Sequence, residues 1–257
     1  AVVYVILAVM GIIWVSPLVW MVLHSFRGEG TSAVHYLIPK TFTFQHYINL
    51  FTDTTILNFP RWFLNTLVVA IFSCIISTLS VLMVAYTFSR LRFKARKPLI
   101  NIGMIIGMFP GFMTMIAIYY LLKAMGLTQT LPALVICYSA GAGIGFQISK
   151  GFFDTIPRAL DEAATIDGAT KNQIFWKIIL PMSKPIVVYT VLTAFIGPWT
   201  DFILVKIIMG DARDNYTVSV GLQLMASQQY ISKYYQRFLA GSTVVAIPIT
   251  LLFLKMP

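Results

Sequence analysis

Glu162-Ala163-Ala164-Thr165-Ile166-Asp167-Gly168, followed by Ile178 and then by Leu180-Pro181, is a short polar, alanine-rich insert in an otherwise apolar chain. Pro157 suits a first helical turn, and Arg158 to Ala164 are mostly good helix formers. Asp161 and Glu162 stand early in that run, where the helix dipole favours negative charge. Gly168 stops the helix, because a residue without a Cβ takes the left-handed backbone at little cost. Thr170 with Gln173 three residues on forms a capping-box signature that starts a second helix, and Pro181 is expected to close it. The segment therefore reads as two short helices joined by a tight corner. It is too polar to span a bilayer and is placed at a membrane surface. Its first helix offers a narrow face of small residues, Ala159, Ala163 and Ala164 with Leu160, on which a partner can seat closely. Phe175, Ile178 and Ile179 of the second helix would root the corner in the membrane domain. A plain amphipathic surface helix is the alternative.

The surroundings justify that placement. Of 257 residues, 58% are hydrophobic and 11% charged, with a mean hydropathy of +0.80, a balance that water-soluble domains do not reach. A spanning helix needs about 20 apolar residues. The apolar runs give six expected spans, at about 1–26, 62–89, 98–122, 131–149, 185–209 and 238–257, with the hairpin at 154–184. The fold class is all-α: one polytopic transmembrane domain over 1–257. The fifth span is carried past Asp201 and Lys206 to about Met209, because its charge-free part alone is marginal for the hydrocarbon thickness. The chain does not open on Met and closes in an apolar run, so both natural termini are expected to lie outside it. Ala1–Leu23 is too long and too uniformly apolar for a cleaved leader and reads as the first span.

Basic residues set the orientation. Arg90, Arg92, Lys94, Arg96 and Lys97, then Lys150, Arg158, Lys171, Lys177 and Lys184, fall in two loops on one side. The other side spreads Arg27, Lys40, Arg61, Lys123, Arg213, Lys233 and Arg237 over three longer loops. The denser side is cytoplasmic by the positive-inside rule, which places the hairpin and both termini there. The net charge of +10 is then an orientation signal with some affinity for anionic lipid, and nucleic acid is no expected partner.

Other chemistry is sparse. His24, His35 and His46 lack metal-ligand spacing, and Cys74 and Cys137 sit in apolar runs as small hydrophobes. Neither a catalytic constellation nor a metal site is expected, and no GxxxxGK[ST] phosphate cradle occurs, so no cofactor is assigned to this chain. Gly103, Gly107 and Gly111 recur at four-residue spacing in the third span, with a kink expected at Pro110; Gly141 and Gly145 repeat the spacing in the fourth. Such residues serve close helix packing or a deformable interface. Gly143 completes an alternating glycine run that is no nucleotide fingerprint. Asp201, with Trp199 beside it, and Lys206 are ionisable or interfacial groups near a span end, the only candidates for a substrate pathway. The long segments Arg27–Arg61 and Gly210–Lys233 face the outside as docking surfaces or plain connectors.

The pattern Glu-Ala-Ala, three residues, Gly, nine residues, Ile, one residue, Leu-Pro is met at Glu162, Ala163, Ala164, Gly168, Ile178, Leu180 and Pro181. It resembles the cytoplasmic loop signature of permease subunits of binding-protein-dependent ABC importers. Asn65-Thr66, Gly151 to Pro157, Pro198 to Phe202, Tyr216 to Gln223 and Ala246 to Thr250 extend the resemblance to the six-span permeases of maltose and maltodextrin-type uptake. Thr200 stands where many relatives carry Asn. The resemblance implies a coupling hairpin, with Leu160, Glu162, Ala163, Ala164, Asp167 and Gly168 at the seat of a cytoplasmic ATPase. It further implies a second permease, two ATPase subunits that carry ATP and Mg, and an external solute-binding protein, all at a bacterial inner membrane. The implied cargo is a neutral oligosaccharide of the maltodextrin kind, with an acidic oligosaccharide as alternative. An ion-coupled secondary transporter is the reading from another class, resting on Asp201 and Lys206 alone.

Overall fold

A computed structural model describes residues 2–30, 36–141 and 145–256. His35 and Gly143, singled out above, lie outside that set. The described chain is helical: α1 Val2–Ser25, α2 Gln45–Thr52, α3 Phe59–Arg90, α4 Arg96–Gly107, α5 Gly111–Ala124, α6 Leu131–Gly141, α7 Phe146–Thr155, α8 Ala159–Ile166, α9 Lys171–Ile174, a π turn Phe175–Ile179, α10 Leu180–Met182, α11 Lys184–Thr200, α12 Ile203–Met209, α13 Val218–Met225 and α14 Ile231–Lys255. One isolated bridge, Arg27 to Phe42, is the only β pairing among the described residues.

Three helices, α1, α3 and α14, are each long and apolar enough to cross a membrane. Bent pairs raise the number to five: α4 with α5 at 101°, and the Lys171–Met182 stretch with α11 at 86°. The first bend exceeds the kink expected at Pro110. Met108 and Phe109 leave the helix, because the Pro110 ring disfavours a helical residue before it and Pro110 lacks the N–H a continuing helix would donate; Pro110 itself stands at the start of α5 with an extended ψ of 127°. Gly111 therefore opens a new helix and does not share a face with Gly103 and Gly107. The run 185–209 is likewise divided, since Asp201 is extended at ψ 112° and α12 restarts at Ile203. On either side of 142–144 the described helices end at Gly141 and begin at Phe146, so Gly141 and Gly145 do not lie on one described helix.

Two compact units are formed, and α3 runs through both. The first gathers 1–66 and 214–255. In it Asn65 Nδ2 donates to the carbonyls of Asp214 at 2.8 Å and Tyr216 at 3.0 Å, and Thr66 Oγ1 accepts from Val218 N at 2.8 Å. Two stretches quoted above as distant motifs thus close on each other. Gly221 is required there, because a Cβ would run into the Trp62 ring. Gln236, with its amide turned to suit its neighbours, donates to the His24 carbonyl at 2.7 Å and accepts from Arg27 Nε at 2.6 Å. His24 stacks on Trp20, and His46 bonds the Arg27 carbonyl, so both histidines act in packing.

The second unit spans 67–213. Its core collects Leu82, Ala85 and Tyr86 of α3, Phe146 and Phe153 of α7, Ala164 of α8, Ile174, and Phe175 and Ile179 of the π turn. The apolar residues of α1 are nearly all exposed, as a face turned to lipid or to another chain requires no burial within its own fold.

Candidate functional site

The hairpin is built as its residues specify. α8 ends in a Schellman motif: Gly168 N donates to Thr165 O at 3.1 Å and Ala169 N to Ala164 O at 2.9 Å, with Gly168 at φ +84°. Two residues later the capping box closes, Gln173 N to Thr170 Oγ1 at 3.3 Å and Thr170 N to Gln173 Oε1 at 2.8 Å. The second helix then passes through the π turn and ends at Met182, one residue beyond Pro181, with the chain bending at Ser183. Pro181 lacks the N–H that a continuing helix would donate, and the π turn before it absorbs the altered register.

The sequence-predicted residues divide by direction. Glu162, Ala163, Asp167 and Gly168 are exposed, and Leu160 is 37% exposed. Ala164 is 8% exposed and packs into the core, so it holds the hairpin down and does not belong to the small-residue face. Ile174, Phe175 and Ile179 are buried, which roots the second helix. Ile166 is 86% exposed at the tip, an apolar side chain beside the predicted set that the sequence reading passed over.

Also unanticipated is the set of groups that tie this corner to α3. Tyr86, Ser89 and Arg90 fall at i, i+3 and i+4 on one helix face. Tyr86 Oη donates to Lys171 O at 3.1 Å, and Ser89 Oγ to Asp154 Oδ1 at 2.6 Å. Arg90 Nη2 donates to Ile156 O at 2.9 Å, and its Nε lies 3.2 Å from Asp161 Oδ2. The Arg90 and Asp161 side chains are 4% and 15% exposed, so this ion pair is largely removed from water. Burial works against the Asp154 carboxylate. The hydrogen bonds from Lys150 and Ser89, with the charges of Lys150 and Arg96, outweigh it and hold its pKa below the usual carboxylate value. Next to the pair lies a polar hollow of about 290 Å³, lined by Arg90, Arg92, Arg158, Asp161, Glu162 and Lys171 among others. The arrangement makes a charged knob held stiffly on the end of a spanning helix.

The pathway candidates are occupied differently. Asp201 Oδ1 accepts from Leu204 N at 3.1 Å, capping α12, and Oδ2 accepts from Tyr138 Oη at 3.3 Å. Trp199 is 2% exposed and leans on Phe195. Lys206 Nζ donates to Gly210 O at 3.0 Å, at the C-terminal end of its own short helix.

An all-helical chain with several apolar helices long enough to cross a membrane defines a class, the polytopic membrane protein. The comparisons resolve the family. Residues 78–255 match the model described as binding-protein-dependent transport system inner membrane component. The Galactooligosaccharides transport system permease protein GanQ of Bacillus subtilis is 35% identical over 98% of this chain and 89% of its own. The Maltodextrin transport system permease protein MdxG of the same organism is 34% identical over 97% and 88%. A solved bacterial ABC transporter involved in the import of the acidic polysaccharide alginate shares the fold at a TM-score of 0.80 and 20% identity, over 98% of this chain and 92% of that one. The chain belongs to the family of binding-protein-dependent inner membrane transport components: it is a multi-pass ABC transporter permease.

Proposed function

We propose that this chain is one of two permease subunits of an ATP-driven oligosaccharide importer, forms half of the translocation pathway, and is driven through the 154–184 hairpin. The observation that carries the reading is the hairpin itself, an exposed Glu162, Ala163 and Asp167 on a corner fixed by a Schellman motif and a capping box. A stiff protrusion transmits the displacement of whatever grips it, whereas a flexible loop would absorb it. Two ATPase subunits grip the hairpins and carry ATP and Mg. A solute-binding protein delivers cargo on the outer face. The six spans are α1, α3, the α4–α5 pair, the segment containing α6, α11 and α14, with both termini on the cytoplasmic side of a bacterial inner membrane. The names of the relatives, for galactooligosaccharides and maltodextrin, support a neutral oligosaccharide as cargo. Lys206, which would favour an acidic one, is engaged with the Gly210 carbonyl.

The test is reconstitution of the complete complex in proteoliposomes with its binding protein. Uptake of a labelled neutral oligosaccharide is expected to require ATP and to ignore ionophores. Uptake that follows an ion gradient and proceeds without ATP would overturn the proposal.

A further inference from the structure

Hydroxyl side chains inside a spanning bundle ordinarily satisfy themselves on the helix that carries them. Here Thr66, Ser73, Thr87, Thr193 and Ser242 each donate to the carbonyl four residues back. Ser77, in the middle of α3, is different. It is 6% exposed, yet its hydroxyl makes no hydrogen bond among the described residues. It lines a half-open cavity of about 260 Å³ between residues of α3, α6, α7 and α11.

The cavity wall has one chemical character. Six of its lining residues carry hydroxyls: Ser77, Tyr138, Ser149, Tyr189, Thr190 and Thr193. Among the described residues no carboxylate, ammonium or guanidinium lines it. The Tyr189 hydroxyl also makes no hydrogen bond among the described residues, and the side chain is 45% exposed. Tyr138 is held in place by its bond to Asp201, leaving its oxygen free to accept. Gly197 contributes space, since a Cβ there would meet nothing within 4 Å.

Two unpaired hydroxyls that can donate and accept, in a wall that also carries the rings of Tyr138 and Tyr189, match a ligand that is itself a ring of hydroxyls with an apolar C–H face. Water satisfies such groups in the empty state, and a sugar ring replaces those bonds while covering the tyrosines. A carboxylate would find no cation in this wall to offset its desolvation. We infer that this cavity is a saccharide subsite within this chain, taking one ring of a neutral oligosaccharide in transit. The inference rests on the oligosaccharide-importer reading and adds where this subunit touches the cargo and why the cargo is uncharged.

The experiment uses the complete reconstituted complex in a background carrying Cys74→Ala and Cys137→Ala. A panel of neutral gluco-, galacto- and N-acetylglucosamine oligosaccharides, together with an oligouronide, is first assayed for ATP-dependent uptake. Ser77→Cys, nearly isosteric, is then labelled with a small methanethiosulfonate during turnover. The imported neutral sugar is expected to slow labelling about fivefold, and a panel member that is not imported should leave it unchanged. Tyr189→Phe, which removes only the hydroxyl, should lower uptake about three- to tenfold, the range for one lost hydrogen bond. Labelling indifferent to the imported sugar, with Tyr189→Phe importing at the parental rate, overturns the subsite and leaves the importer reading intact. Import of the oligouronide alone overturns the neutral-sugar assignment. Failure of the parental complex to import any panel member with ATP counts instead against the reading on which the subsite rests.

Discussion

Positions 168 and 221 each favour glycine, for unrelated reasons. Gly221 is a matter of space, because the Trp62 ring occupies the place of a side chain. Gly168 has open space around it and is a matter of backbone alone, with φ at +84°. A β-branched residue there costs about 1–3 kcal/mol in the left-handed region, and the hairpin can relieve that cost only by unwinding its corner. Gly168→Val is therefore expected to insert and fold in the membrane while transport per ATP hydrolysed falls severalfold. Asn, which tolerates this conformation better, should fall between Val and the parent. Parallel measurement of sugar uptake and phosphate release decides the matter, and an unchanged ratio in the Val variant would argue against a stiff corner. The role of Gly168 was legible because its determinants, Thr170 and Gln173, are local. That of Gly221 was not, since only the fold brings Trp62 onto it.

Among elements, what could be read from the sequence follows the same division. Hydropathy and length revealed the long helices, and Pro110 announced a bend, but its 101° reflects the release of three residues from the helix and exceeds any ordinary kink. The fifth span was expected to run on past Thr200 because its charge-free part alone is marginal for the hydrocarbon thickness; Asp201 makes the division by capping the next helix. The link from α3 to the hairpin was invisible because Arg90 and Asp161 lie on separate elements. That link has a measurable consequence. Arg90→Leu leaves the largely buried Asp161 uncompensated and should destabilise the hairpin by about 3 kcal/mol, whereas the double variant Arg90→Leu/Asp161→Leu should recover much of that loss. If the pair also transmits force, both variants keep a reduced transport-to-ATP ratio even where thermal stability returns. A double variant that regains stability and full coupling would reduce Arg90 to a packing role.

For the whole molecule, charge and exposure constrain topology together. The exposed apolar side chains of α1 and of the outer faces of α3 and α5 suit a lipid surrounding, which fixes that these elements are in the membrane without saying which way they run. Direction comes from the basic residues, and the structure adds that Arg90, Arg92, Arg158 and Lys171 gather about one hollow rather than being scattered along their loops. Concentrated positive charge resists translocation more effectively than the same charge dispersed over long external segments. In a background without native cysteines, Arg158→Cys is therefore expected to react with a membrane-impermeant maleimide only in inverted vesicles, and Thr55→Cys, in the loop after α2, only from the outside of intact cells. The reverse pattern would place the hairpin outside, beyond the reach of any cytoplasmic ATPase. Labelling of both positions from the same side would instead require an even number of crossings between Thr55 and Arg158, where the proposed topology has three.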